Sequence, residues 1–178
     1  MGARLECMFD TNVFDCILDG GISLESLMTD VVPYATHVQR DEINNIPEHK
    51  IERREALAAL FVQVVSEAPT DSFAVGTSRI GEAHVGGDRV VPTESAAWGV
   101  SKWGQAKWTA ANNLCVPIRA ALDRIKLKPN NIKDALIAET AIKRGYILVT
   151  EDEDLAMVVK SVGARCLSVS ELIAAVQH

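Results

Sequence analysis

The sequence predicts an α/β fold in which a mostly parallel sheet is covered by helices on both faces. Short apolar runs that fit strands alternate with longer amphipathic stretches that fit helices along the 178 residues. Acidic residues follow several of the strand-like runs, where the chain would leave the sheet. The carboxyl ends of parallel strands meet at one edge, so these acids are candidates for a shared site. The length fits one domain with a substantial core.

Two strands and three helices are predicted in the first third of the chain. In order they are a strand over 4–9, helices over 13–18 and 23–32, a strand over 34–38 and a helix from 47 to about 66. Gly20 and Gly21 end the first helix, and Pro33 precedes the second strand. Pro47 opens the long helix, because proline is favoured at a first helical position.

Two more strands and four helices are predicted near the end of the chain. They are a helix from about 110 to 125, a helix over 131–144, a strand over 146–150, a helix over 155–162, a strand over 165–167 and a helix over 170–176. Gly145 and Gly163 are expected to stop the helices that precede them. Residues 68–114 have no clear period, apart from a short strand expected over 73–75.

The helix over 131–144 carries a carboxylate on its apolar side. Asp134 falls within the arc formed by Ala135, Ile137, Ala138, Ala141 and Ile142. The opposite arc holds Lys133, Glu139, Thr140, Lys143 and Arg144. A carboxylate on a buried helix face is costly unless it is paired. The next strand leads to Asp152 and Asp154, so the acids together indicate a cation site.

Each acid also has a local explanation. Asp10 can cap the helix that follows it, and Glu42 can be an ordinary surface charge. The pairs Asn131–Asp134 and Thr150–Glu153 have capping-box spacing. One shared explanation covers all of these acids, because crowded carboxylates raise one another's pKa unless a divalent ion neutralises them. With few histidines and no paired cysteines, Mg²⁺ or Mn²⁺ is the favoured ion.

Composition indicates a soluble, cytoplasmic protein. Hydrophobic residues make up 48% and charged residues 24% of the chain. No apolar run reaches the roughly 20 residues of a membrane helix, and the start lacks the apolar centre of a signal peptide. The four cysteines have no CxxC spacing and sit mostly in apolar runs, so buried reduced thiols are expected.

The net charge of −6 hides one basic tract. Residues 102–144 contain nine basic and three acidic residues, which predicts either a polyanion track or a solvated helix face. The candidate phosphate contacts are Lys102, Lys107, Arg119 and Arg124. Three tryptophans, Trp98, Trp103 and Trp108, interleave with the two lysines. They fit a base-stacking platform or loop anchors, and a spacing of five does not keep them on one helix face.

Three segments resemble the PIN-domain nucleases: CMFDTNVFDCIL, THVQRDEINNIP and KDALIAETAIKRGYILVTEDEDL. The last is the most specific, since a helix-borne Asp, a hydrophobic strand and T-x-D-x-D follow in the family's order and spacing. The resemblance implies a three-layer α/β/α sandwich with a mostly parallel sheet of four or five strands. It implies a single PIN-like domain over 1–178 with an irregular insertion at about 68–114.

The resemblance also implies a function. PIN nucleases cleave single-stranded RNA, or sometimes DNA, with Mg²⁺ or Mn²⁺, in toxin, defence or RNA-processing roles. Carried over by position, the catalytic and metal-binding acids are Asp10, Glu42, Asp134 and Asp152, with Asp154 as an additional metal-binding acid. Thr11, Asn12 and Thr150 would hold those acids in place. A homodimer and an inhibitory protein partner are expected from the resemblance alone.

Two other classes of function fit parts of the sequence. A phosphotransfer or phosphatase-like domain also places acids at strand ends, but phosphatases of that type need Asp-x-Asp, where this chain has Asp10-Thr11-Asn12. A non-catalytic RNA- or protein-binding module could use the same scaffold. The intact set of acids argues against it, because a lost activity would relax the need for buried charge.

Overall fold

The computed structural model describes residues 4–20, 24–72, 77 and 114–176. The strand predicted over 73–75, the three tryptophans, Lys102 and Lys107 lie outside the described residues. Most of the predicted insertion over 68–114 does so too, and the single-domain assignment therefore stays a prediction.

The described residues form five strands and eight α-helices. The strands are β1 (Leu5–Phe9), β2 (Val31–Ala35), β3 (Ser66–Glu67), β4 (Ile147–Val149) and β5 (Cys166–Leu167). The helices are α1 (Thr11–Leu18), α2 (Leu24–Asp30), α3 (His37–Asn44), α4 (Ile51–Val64), α5 (Cys115–Ile125), α6 (Asn131–Arg144), α7 (Glu153–Ser161) and α8 (Val169–Val176). A 3₁₀ turn over Glu48–Lys50 leads into α4, where one continuous helix from Pro47 was predicted.

All neighbouring strands of the sheet run parallel, in the order β3-β2-β1-β4-β5. Cys7 of β1 lies opposite Pro33 on one side and Ile147 on the other. The chain builds outward from β1 to β3 and then crosses to β4 on the far side of β1. The topological switch point is therefore between β1 and β4, where open α/β sheets bind ligands.

Helices cover both faces of the sheet, each over its own core. Cys7 and Phe9 of β1 point into one core with residues from α1, α2, α4 and α8. Met8, between them, points into the other core with residues from α5, α6 and α7. In the first core the Phe14 ring lies 6.1 Å from the Phe9 ring and 5.4 Å from the Phe61 ring. The predicted three-layer α/β/α architecture is confirmed.

Strand β2 begins three residues earlier than the sequence predicts, so Pro33 lies inside the strand. Strand β3 pairs with β2 only at Tyr34 and Ala35. On that side of β2, Pro33 is therefore in the position of an edge-strand residue, where a missing backbone N–H is tolerated. The shift leaves residues 37–44 free to form α3, which Thr36 caps by accepting a hydrogen bond from Val38 N.

The side of α6 that was predicted to face solvent is partly buried. Glu139 and Thr140 have no exposed surface. Glu139 accepts hydrogen bonds from Leu114 N (3.2 Å) and lies 2.6 Å from Lys143 Nζ. Thr140 donates to Leu136 O and accepts from Asp71 N. Helix α5 and the segment after β3 pack on this side, which the period of one helix cannot reveal.

The prediction of buried thiols holds for Cys7, Cys115 and Cys166, whereas Cys16 is partly exposed. All four cysteines are free thiols, and burial raises the pKa of Cys7 to about 12. No helix in the described part of the chain is long and apolar enough to cross a membrane.

Truncation of the central aromatic side chain should destabilise the fold strongly. We expect Phe14→Ala to lower the free energy of unfolding by about 3–5 kcal/mol, because the cavity between Phe9 and Phe61 cannot close fully. Urea unfolding measures the change. The control is Val62→Ala on α4, a side chain that is 82% exposed, which should cost less than about 0.5 kcal/mol. Similar losses for the two variants would contradict this packing.

Candidate metal centre

Asp10 lies at the centre of the candidate site, where β1 ends and α1 begins. The side chain is 6% exposed. Its Oδ1 accepts a hydrogen bond from Thr11 N, and its Oδ2 accepts from Asn12 Nδ2 and Thr150 Oγ1, all at 2.7 Å. Asp10 N donates to Val149 O at 3.0 Å, which joins the end of β1 to the end of β4. The carboxylate is thus fixed at the switch point from both strands.

Glu42, on α3, is connected to Asp10 through one residue. The backbone N–H of Thr11 donates a hydrogen bond to Asp10, and its hydroxyl donates to Glu42 Oε2 at 2.5 Å. The other Glu42 oxygen lies 3.4 Å from Lys133 Nζ. The interpretation of Glu42 as an ordinary surface charge is therefore wrong.

A buried amide side chain, Gln39, fastens α3 to the end of β1. Its Nε2 donates to Phe9 O at 2.8 Å, and its Oε1 accepts from the backbone N (2.9 Å) and the hydroxyl (2.6 Å) of Thr36. Gln39 has no exposed surface. Since Glu42 follows one turn later on the same helix, Gln39 sets its position relative to Asp10. Gln39 was not predicted as a site residue, and its position in the capping box of α3 is its only signal in the sequence.

Asp152 is connected to Asp10 through Thr150. The Thr150 hydroxyl donates to Asp10 and accepts from Asp152 N at 3.0 Å. Asp152 caps α7, accepting from Leu155 N with Oδ1, so the predicted capping box between Thr150 and Glu153 is wrong. The other Asp152 oxygen, Oδ2, lies 3.5 Å from Lys128 Nζ.

Asp134 lies in the first turn of α6 and is not a capping residue. Helix α6 has Asn130 as its N-cap and no side-chain capping bond, so the predicted Asn131–Asp134 capping box is wrong. No described residue donates a hydrogen bond to the Asp134 carboxylate. Burial first, and then the negative charges of Asp10, Glu42 and Asp152, raise its pKa from the ordinary 3.8 to about 7.

The four acids form an electrostatic cluster. Burial raises the pKa of Asp10, hydrogen bonds from Thr150 and Thr11 oppose the rise, and the charges of Glu42 and Asp152 add to it. Within the described ranges, no three His, Cys, Asp or Glu side chains already stand close enough to hold one metal ion. A divalent ion would therefore have to draw the carboxylates together. Local capping accounts for one oxygen each of Asp10 and Asp152, and for neither Glu42 nor Asp134.

Of the predicted accessory acid and phosphate-contacting arginines, only the acid lies near the cluster. Asp154 Oδ2 lies 3.6 Å from Lys128 Nζ, so this acid joins the cluster through the lysine. Arg119 pairs with Asp123 one turn along α5, at 3.5 Å, and Arg124 is exposed in the last turn of α5. In the described part of the chain, the cations that contact the acids are Lys128 and Lys133, neither of which was predicted as a site residue. Their signal was proximity in sequence to Asp134.

Neutralising Asp134 should stabilise the metal-free protein at alkaline pH. The native pKa of about 7 lies above the ordinary 3.8, so wild-type stability falls as pH rises from about 4 to about 7. We expect Asp134→Asn to remove a penalty of at most roughly 4 kcal/mol at pH 8 and to change little near pH 4. Thermal unfolding in EDTA at pH 4 and at pH 8 measures the stability change. The control is Asp30→Asn, which replaces an exposed acid on α2. Parallel pH profiles for wild type and Asp134→Asn would contradict the clustering.

No protein-family model matches the chain, and no curated protein matches its sequence. Solved structures that resemble it include VapBC2 from Rickettsia felis, bound to a DNA fragment from its promoter, at 14% identity and a TM-score of 0.49. That match covers 92% of this chain and 98% of the other. Another is VapBC-5 from Mycobacterium tuberculosis, a member of the VapBC family of toxin–antitoxin systems. It has 16% identity and a TM-score of 0.48, covering 93% of this chain and 100% of the other. Any assignment of function therefore rests on the side chains of this chain.

Proposed function

We propose that this protein is a metal-dependent nuclease of the PIN type that hydrolyses phosphodiester bonds in single-stranded RNA. The observation that supports it most is the electrostatic influence that four acids from four separate elements exert on one another near the switch point of a parallel sheet. The order and spacing of these acids resemble those of PIN nucleases. A toxin-type role, a homodimer and an inhibitory protein partner are further parts of the proposal that follow from the resemblance.

The side chains present fit a hard divalent cation. Asp10, Glu42, Asp134 and Asp152 would hold Mg²⁺ or Mn²⁺ through carboxylate oxygens, with Asp154 as an accessory acid. Asp134 is the clearest sign of fit, because this partly buried carboxylate accepts no hydrogen bond from the described residues, and the charge of Lys128 offsets those of its acidic neighbours only in part. When bound, the ion would supply Lewis-acid activation of water and stabilisation of charge on the phosphate.

The polar residues around the acids have a positioning role in this proposal. Thr11, Asn12 and Thr150 restrict Asp10 to one orientation, since all three donate to it. Asn12 also accepts from Glu151 N at 3.1 Å, so the same side chain holds the segment that leads to Asp152. Fixed orientation of the acids reduces the reorganisation needed when substrate binds.

A cleavage assay tests the proposal. Labelled single-stranded RNA is incubated with wild type, Asp10→Asn or Asp134→Asn in Mn²⁺, and we expect each variant to lose activity by about 100-fold or more. EDTA should abolish wild-type cleavage. The control, Asp30→Asn, should cleave at the wild-type rate. Equal cleavage by all four proteins would remove this mechanism, and binding of intact RNA without cleavage would favour the non-catalytic module instead.

A further inference from the structure

Two lysines contact different acids of the cluster. Lys128, in the turn between α5 and α6, places Nζ 3.5 Å from Asp152 Oδ2 and 3.6 Å from Asp154 Oδ2. Lys133, in the first turn of α6, places Nζ 3.4 Å from Glu42 Oε1. Their side chains are 33% and 29% exposed, so both ammonium groups touch the acids and solvent together.

The turn that carries Lys128 is held by a buried side chain. Asn131 is 2% exposed, and its Nδ2 donates to Asp123 Oδ1 at 2.7 Å and to Lys126 O at 2.8 Å. Asn131 N also donates to Lys128 O at 3.1 Å. The backbone at Lys128 is therefore bonded on both sides, and this lysine is presented at the site from a fixed turn.

Helix stability does not explain either lysine. A cation near a helix N-terminus lies at the unfavourable end of the helix dipole, which costs about 0.3–1 kcal/mol. Ion pairs exposed to this extent contribute about 0–1 kcal/mol. The two effects are comparable, so the lysines add little to the stability of α6. Their position at the rim of the acid cluster remains to be accounted for.

The net charge at the site indicates a role for the two lysines. Five carboxylates face two ammonium groups here, so even with one divalent ion bound the site would carry no excess positive charge. A nucleic acid adds negative charge of its own and needs cations along its backbone. Within the described residues, Lys128 and Lys133 are the cations that contact these acids.

We propose that Lys128 and Lys133 bind phosphates of the nucleic-acid strand on either side of the acid cluster, once a divalent ion has taken over the carboxylates that they contact in its absence. This inference rests on the proposed function and names the contacts that hold its substrate. An ammonium group that contacts a carboxylate can also reach a phosphate oxygen that binds beside that carboxylate. The lysines thus need only a change of rotamer.

Binding of a single strand tests the proposal without reference to turnover. The lysine variants are otherwise wild type, Ca²⁺ replaces Mg²⁺ so that the carboxylates can bind an ion while the labelled RNA stays intact, and fluorescence anisotropy measures affinity at several salt concentrations. We expect Lys128→Met and Lys133→Met each to weaken binding about 5- to 10-fold and to lower the slope of log affinity against log salt by about 0.7. The matched control is Lys126→Met, an exposed lysine in the same turn, which should change affinity less than about 2-fold. Lys128→Arg and Lys133→Arg should retain most of the affinity.

Calorimetry with Mn²⁺ alone on the same lysine substitutions in an otherwise wild-type chain separates the remaining explanations. We expect metal affinity to be unchanged or higher, because a competing cation has been removed. Unchanged RNA affinity with higher metal affinity would show that the lysines only neutralise the acids, and would overturn the proposal. If Lys126→Met weakens RNA binding equally, the effect is general electrostatic attraction, and the proposal is also overturned. If wild type neither binds RNA in Ca²⁺ nor cleaves it in Mn²⁺, the proposed function itself fails, and this inference with it.

Discussion

The burial of one carboxylate, Asp10, between the ends of β1 and β4 is the constraint on which the candidate site depends. A carboxylate with 6% exposure is tolerated only if its oxygens accept hydrogen bonds. The three donors, Thr11, Asn12 and Thr150, each continue to a further element of the site. Thr11 reaches α3, Asn12 the backbone of Glu151, and Thr150 the start of α7. The need to satisfy Asp10 therefore brings together the elements that carry Glu42 and Asp152.

The same arrangement leaves a destabilising excess of negative charge. Asp134 has no hydrogen-bond donor among the described residues, and the charge of Lys128 offsets those of Asp10, Glu42 and Asp152 only in part. Two packed cores and a parallel sheet of five strands can hold such a site in place, because the stabilising contacts lie elsewhere in the molecule. Perturbed carboxylates of this kind are common where a protein binds ions or reacts with substrate. The two lysines reduce the excess charge at its rim without satisfying Asp134 itself.

Much of the architecture could be predicted from the sequence because it depends on local patterns. The strand before Asp10, the helix over 131–144 and its stop at Gly145 follow from apolar period and glycine, and Gly145 does adopt the left-handed conformation, with φ of 74°. Strand β2 was misplaced, because Pro33 reads as a strand boundary unless the neighbouring strand is known to be short. Strand β3 was missed, since its two residues are polar and exposed.

The site was predictable only in part, for a related reason. The acids are recognisable by type and by their order along the chain, whereas their partners depend on the tertiary fold. Glu139 on α6 appears in sequence as a solvent-facing charge, and only the packing of α5 makes it buried. Lys128 appears as part of a basic tract, and only the return of α7 brings Asp152 to it. Gln39 likewise needs the end of β1 beside α3 before its role can be recognised.

The central claim is that acids distant in sequence share one divalent ion, and anomalous diffraction from a crystal soaked in Mn²⁺ tests it most directly. A strong anomalous peak bounded by the carboxylates of Asp10, Asp134 and Asp152 is the predicted result. A crystal in which Mn²⁺ binds elsewhere, or in which these three carboxylates keep their metal-free contacts at saturating Mn²⁺, would contradict the claim.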